Sequence, residues 1–191
     1  MDASPLPDLA RLLPRELATE LLGLARAHGA TFADLYAEHA IVTGLSLDER
    51  RLRTASHTVL QGVGIRAIRG EQTGYAYADG FDPDALREAA RVAARIARDA
   101  PPAATSRTGA PIAFRVNDAP APFVLQEPAT LALDEAHRVE MLRRCDEAAR
   151  GHDPRVHEVS ASFNSSAKSF LVANSDGVWA EDRSHLSRLV V

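Results

Sequence analysis

Residues 61–79, QGVGIRAIRGEQTGYAYAD, limit the fold more than any other stretch: they hold Gly62, Gly64, Gly70 and Gly74, four of the eleven glycines in this 191-residue chain. Ile65 and Ala67 alternate before Arg69-Gly70-Glu71-Gln72, and Tyr75 and Tyr77 alternate after it. A period of two on each side of a glycine-containing turn is the pattern of a β-hairpin. The additional glycines predict bulges, or points where another backbone comes close. Asp82-Pro83 supplies an N-cap and a first-turn proline, so a helix should begin where the hairpin ends. Gly62-x-Gly64-x-x-Ala67 also matches a loose dinucleotide fingerprint. That fingerprint needs a helix to start at the glycines, with its first amides facing the pyrophosphate. A strand pattern follows them here, and hairpin geometry is the better account.

The rest of the chain fits around the hairpin. Residues 15–28 place Leu17, Leu21, Leu22 and Leu24 at helical spacing, and Gly29 stops the run. From 33 to 48 the period becomes two, with Leu35, Ala37, His39, Ile41, Thr43, Leu45 and Leu47 on one face and a bend expected at Gly44. His39 reads as a hydrogen-bonded core residue rather than a ligand. Residues 48–51 read as a charged turn and 52–61 as a second strand, so an antiparallel meander is expected. The run from 83 to 99 is an alanine-rich helix, with Leu86, Ala89, Ala90, Ala93, Ile96 and Ala97 on its stripe. Arg87, Arg91, Arg95 and Arg98 share its other side and read as a solvated face before an anion site. Residues 100–128 carry six of the eleven prolines and lose all periodicity. Asp134 caps a third helix to about Arg150, with Cys145 on its apolar stripe as a small core residue. Strands are expected at 156–163, at 169–174 and from Val178 onward, around the turn Ser175-Asp176-Gly177.

The fold class that results is α+β: a mainly antiparallel sheet with three covering helices and a helix–strand–strand pseudo-repeat. The expected organisation is a loose N-terminus at 1–14, a first αβ unit at 15–99 containing the glycine-rich hairpin, a proline-rich crossover at 100–133, and a second αβ unit at 134–191. The chain ends on LSRLVV, an apolar alternation without turn or polar tail, and is expected to continue.

A net charge of −4 leaves no basic footprint, so direct nucleic-acid binding is not expected. The single cysteine cannot pair within the chain, which fits a reducing, cytoplasmic setting. The N-terminus lacks a basic segment before an apolar core, and no apolar run approaches the roughly 20 residues that span a bilayer. Neither secretion nor membrane contact is expected. The seven histidines form no helical metal motif. His157-Glu158 has Ala161 and Ser162 where a second ligand would stand, and no Gly-x-Ser-x-Gly elbow is present. No catalytic residue and no metal ligand is assigned.

Three segments carry a resemblance. Asp34-Leu35-Tyr36, Gln61-Gly62-Val63-Gly64-Ile65-Arg66-Ala67 and Thr73-Gly74-Tyr75-Ala76-Tyr77-Ala78-Asp79 resemble the N-terminal domain of the TldD/PmbA metallopeptidase family, its TldD branch above all. Leu142-Arg143-Arg144, Arg155-Val156-His157-Glu158-Val159 and Asp176-Gly177 fit in the same order. The resemblance implies a zinc peptidase of the cytoplasm that cleaves unfolded or flexible peptides, matures peptide antibiotics, and pairs with a PmbA/TldE-like subunit or with itself. It also implies that the zinc ligands, a His-Glu-x-x-x-His helix and a cysteine, belong to a C-terminal domain absent from this chain. Zinc would then be held by the full-length enzyme and not by these residues, and the chain alone would be inactive. His157-Glu158 and Cys145 match non-ligand positions. The alternative is a non-catalytic peptide- or partner-binding module. Gly62, Gly64 and Gly74 could let a substrate backbone approach as an added strand, with Tyr75 and Tyr77 as side-chain contacts. The simpler account of the same residues is hairpin geometry and core packing.

Overall fold

The computed structural model describes residues 6–98, 112–116 and 133–191. The alternation that opens after Thr31 is sustained as one long strand, β1 (Phe32–Asp48). A charged two-residue turn leads to β2 (Arg51–Arg69), which runs through both glycines, and Gly70-Glu71 turns the chain into β3 (Gln72–Asp79). Helix α3 (Pro83–Arg98) follows, its start capped by the Asp82 carboxylate, which accepts from the Ala85 amide at 2.9 Å. Upstream lie α1 (Leu9–Leu12) and α2 (Arg15–Ala25). Downstream come a short β4 (Arg115–Val116), α4 (Glu135–His152), β5 (Ser160–Asn174) and β6 (Val178–Val190). Helix, strand, turn, strand thus occurs twice, at α2-β1-β2 and at α4-β5-β6.

Among the described residues six strands share one sheet, ordered β3-β2-β1-β5-β6-β4. Every pairing is antiparallel except β4 with β6, where Arg115 and Val116 sit beside Val178 and Trp179. The inward face is covered in two places. Around Leu35, Val63, Ile65 and Leu171 the cover is α1, α2 and α3, whose Leu9, Leu21, Leu22 and Leu86 are buried. Around Leu45, Leu47, Ala161 and Phe163 the cover is α4, through Leu142. Each fully buried leucine contributes roughly 1.5–3 kcal/mol of transfer free energy.

Several expectations are corrected. β1 passes through Gly44 in register with both neighbours, and the irregularity lies at Ser46/Leu47. The β2–β3 ladder runs unbroken from Gly62 opposite Asp79 to Arg69 opposite Gln72, so the extra glycines make no bulge. Residues 156–159 are irregular, and β5 does not break between 163 and 169. Ser165, Ala167 and Ser169 keep the inward alternation there with small side chains, all buried. Of the N-terminal segment expected to be loose, Leu6, Leu9 and Leu13 are buried. His39 is half-buried, and its Nδ1 is enclosed without a hydrogen-bond partner. Most of the expected 100–133 crossover lies outside the described residues.

A carboxylate that no periodicity flagged ties α4 to the β1–β2 turn. Asp146 is 1% exposed, accepts from Arg150 Nε at 3.1 and 3.2 Å, and lies 3.5 Å from Arg50. Arg150 also donates to Glu49 at 3.0 Å and to the His157 carbonyl at 2.8 Å. Glu49 in turn accepts from the Val159 amide, which together with Arg150 holds its carboxyl below the usual range. Glu49 and Arg50 sit at φ 47° and 60°, in the left-handed region that bulky residues rarely adopt.

Candidate peptide-binding surface

The face of the sheet opposite the helices carries the even-numbered residues of β1 and β2, so Tyr36, Glu38, Gly62 and Gly64 lie on it, joined from β3 by Tyr75, Tyr77 and Asp79. Tyr75 and Tyr77 are 58% and 54% exposed. Their rings lean over the glycines of the neighbouring strand. A Cβ on Gly64 would stand 2.5 Å from the Tyr75 hydroxyl, and one on Gly62 would stand 2.7 Å from the Tyr77 hydroxyl. Gly74 points the other way, into α3, where a Cβ would overlap the Ala93 carbonyl oxygen and come within 2.7 Å of the Ala97 nitrogen. All three glycines therefore admit a close approach, and in each case the approaching group belongs to this chain. Gly62 and Gly64 also lie between β1 and β3, so both edges of their backbone are already paired.

Hydroxyl–carboxylate pairs stand beside this row. Tyr36 donates to Glu38 at 2.8 Å and Tyr77 donates to Asp79 at 2.8 Å. Burial, then the Glu38 carboxylate, raises the Tyr36 phenol above its usual value. The bond to Asp79 does the same for Tyr77. Lys168 on β5 reaches the Tyr36 hydroxyl at 3.3 Å and Glu38 at 3.7 Å, and the Tyr36 bond raises its ammonium. Arg66 is paired with Asp34 through Nε at 3.0 Å. Beyond Asp79 the Gly80 amide bonds the Gln61 carbonyl at 3.3 Å, and at φ 71° the chain turns away towards α3. A groove of about 440 Å³ remains at this corner, between Glu38, Val59, Leu60, Tyr77 and Asp79.

β2 does not end where β3 leaves it. Residues 51–60 continue with β1 on one side and, among the described residues, no strand on the other. All ten are exposed, with Val59 at 50% and Leu60 at 51%. Since Gln61 turns its carbonyl towards β3, antiparallel alternation turns the main-chain groups of Val59, His57 and Ala55 to the same open side. A bare edge of this length is a template for another extended chain. The glycines and the two tyrosines of the hairpin are visible as candidates in the sequence, whereas this edge, Tyr36, Glu38 and Asp79 are not. The one available signal is a shared spacing, Tyr36-Ala37-Glu38 and Tyr77-Ala78-Asp79.

Other motifs are taken up by the fold. The Gly62-Gly64 fingerprint lies mid-strand, with no helix starting at it. Arg87 pairs with Glu20 and Asp84, and Arg91 and Arg95 with Glu88. Cys145 is half-buried against the core beneath α4. Among the described residues no group of three or more His, Cys, Asp or Glu side chains is placed to hold a metal ion. These residues do not fit a metal centre. No described helix is long and apolar enough to cross a membrane.

Comparison with known proteins gives a consistent result. Residues 33–97 match the family model of PmbA/TldA metallopeptidase domain 1, and residues 129–191 match that of the PmbA/TldA metallopeptidase central domain. The chain is 30% identical over 184 residues to a metalloprotease TldD homolog of Haemophilus influenzae, covering 94% of this chain and 37% of the relative. A TldD homolog of Buchnera aphidicola from Schizaphis graminum is 28% identical over 155 residues, covering 81% and 31%. In structure the chain is similar to TldE from Thermococcus kodakarensis, with a TM-score of 0.70 at 19% identity over 91% of this chain and 38% of that one. The chain thus spans about a third of the length of the relatives it matches.

Proposed function

We propose, from the premise that this chain belongs to the PmbA/TldD metallopeptidase family, that it is the peptide-holding and subunit-contacting part of a TldD-like enzyme. In this reading the whole enzyme is a cytoplasmic zinc peptidase for unfolded or flexible peptides, built with a PmbA/TldE-like partner or with a second copy of itself. The metal would be held outside these residues, and neither nucleic acid nor membrane is a direct ligand. The observation that carries the reading is the open edge at residues 51–60, continuous with the β2–β3 hairpin. A flexible peptide can add there as a strand, held by its main chain and so with little regard to sequence. Of the tyrosines expected to touch the substrate, Tyr77 lines the groove at the end of that edge and Tyr75 stands further along β3, opposite Arg66. Gly62, Gly64 and Gly74 act one step back, by letting the rings and α3 come close. The test is a zinc titration with a peptidase assay on the 191-residue chain. The expected result is neither stoichiometric zinc nor turnover. Stoichiometric zinc accompanied by peptide cleavage would overturn the assignment.

A further inference from the structure

Building on the reading of the β2 edge as a peptide site, we propose that the groove beside it is a subsite for a cation, so that the chain prefers extended peptides bearing lysine or arginine. The register places Asp79, Gly62 and Glu38 in one row across three strands on the same face. Two carboxylates therefore flank a position that has no side chain of its own. The Tyr77 ring leans over Gly62 and gives the groove an aromatic wall, while Leu60 gives it an apolar one. That combination suits a long cationic side chain. Its methylene stem packs on the apolar wall, and its charged head meets carboxylates and a ring face.

The charge balance points the same way. Glu38 has Lys168 at 3.7 Å, and Asp79 takes the neutral Tyr77 hydroxyl. Asp34 and Arg66 neutralise each other two rows away. One resident ammonium faces two carboxylates, so a cation is favoured and an anion opposed. Position agrees with charge. A strand added beside β2 would follow the line of β3 past Gly80, and its residue opposite Leu60 would project to the same face as Asp79.

Fluorescence anisotropy on this chain tests the proposal with three labelled flexible peptides, identical except for a central lysine, norleucine or glutamate. At low salt the lysine peptide should bind about fivefold more tightly than the norleucine peptide, and the glutamate peptide more weakly than either. In Glu38→Gln/Asp79→Asn the lysine advantage should vanish while norleucine binding stays. Asp79→Asn alone, at an exposed side chain, should lose part of it. Equal binding of lysine and norleucine peptides, or a lysine advantage that survives the double substitution, would overturn the subsite and leave the edge reading standing. Val59→Pro removes an outward amide and should weaken all three peptides together. If the wild-type chain binds none of them, the edge reading falls and the subsite with it.

Discussion

Gly74→Ala isolates what the hairpin glycines do. The added methyl group would overlap the Ala93 carbonyl oxygen and lie 2.7 Å from the Ala97 nitrogen, and both atoms are helix backbone that cannot rotate aside. Relief requires α3 to back away until the Ala97 nitrogen reaches an ordinary contact near 3.4 Å. That retreat loosens Leu86, Ala90, Ala93 and Ala97, all at most 1% exposed. Overpacking of this kind costs about 1–3 kcal/mol, and the gap under a displaced helix puts the value towards the upper end. For a domain of this length 3 kcal/mol lowers Tm by about 6–12 °C. Gly64→Ala is the control, because its methyl meets the Tyr75 hydroxyl at 2.5 Å and Tyr75 is exposed enough to swing out. It should cost about 1 kcal/mol or less. Thermal and urea unfolding followed by circular dichroism measures both. A Gly64→Ala loss equal to or greater than that of Gly74→Ala would refute the reasoning, as would an unchanged Tm for Gly74→Ala.

Three further outcomes are expected. Asp146→Ala takes one partner from the largely buried Arg150 guanidinium, which keeps Glu49 and the His157 carbonyl, and should cost about 1–3 kcal/mol in urea unfolding. Glu20 is held below its ordinary 4.5 by Arg87, and Glu49 below the same value by the Val159 amide and then Arg150. A depressed carboxylate contributes fully above its unfolded value and loses that contribution as pH falls through the lower folded one. The urea midpoint should therefore drop below pH 4.5, and the drop should be shallower in Glu49→Gln. His39→Leu removes an enclosed Nδ1 that has no partner and should leave stability unchanged or raise it slightly, as thermal melting will show.

Local periodicity made much of the fold legible. β1, the turn of the β2–β3 hairpin, the start of α3 at Asp82-Pro83 and the cap of α4 at Asp134 all follow from spacing and end signals that act within a few residues. What stayed hidden was set by distant partners. Residues 164–168 read as a gap between two strands because small and polar side chains rarely fill an inward face, yet Ser165 and Ala167 are buried between the two helical covers. Asp146 carries no local signal of burial, because Arg50, one of the two cations that close over it, comes from the distant β1–β2 turn. The tyrosines and glycines of the hairpin were visible as residues. That each ring covers a glycine of the neighbouring strand depends on the register, which a one-dimensional pattern does not contain. The open edge follows from β3 being shorter than β2, eight residues against 19, and gains meaning only once the strand order is known.

Amide hydrogen exchange along β2, with and without a flexible peptide, tests the central claim most directly. The account predicts that Ala55, His57 and Val59, whose amides face the open side, gain protection when peptide is added, while residues 62–69, already laddered to β3, change little. Protection that appears elsewhere and leaves Ala55, His57 and Val59 exchanging as before would contradict it.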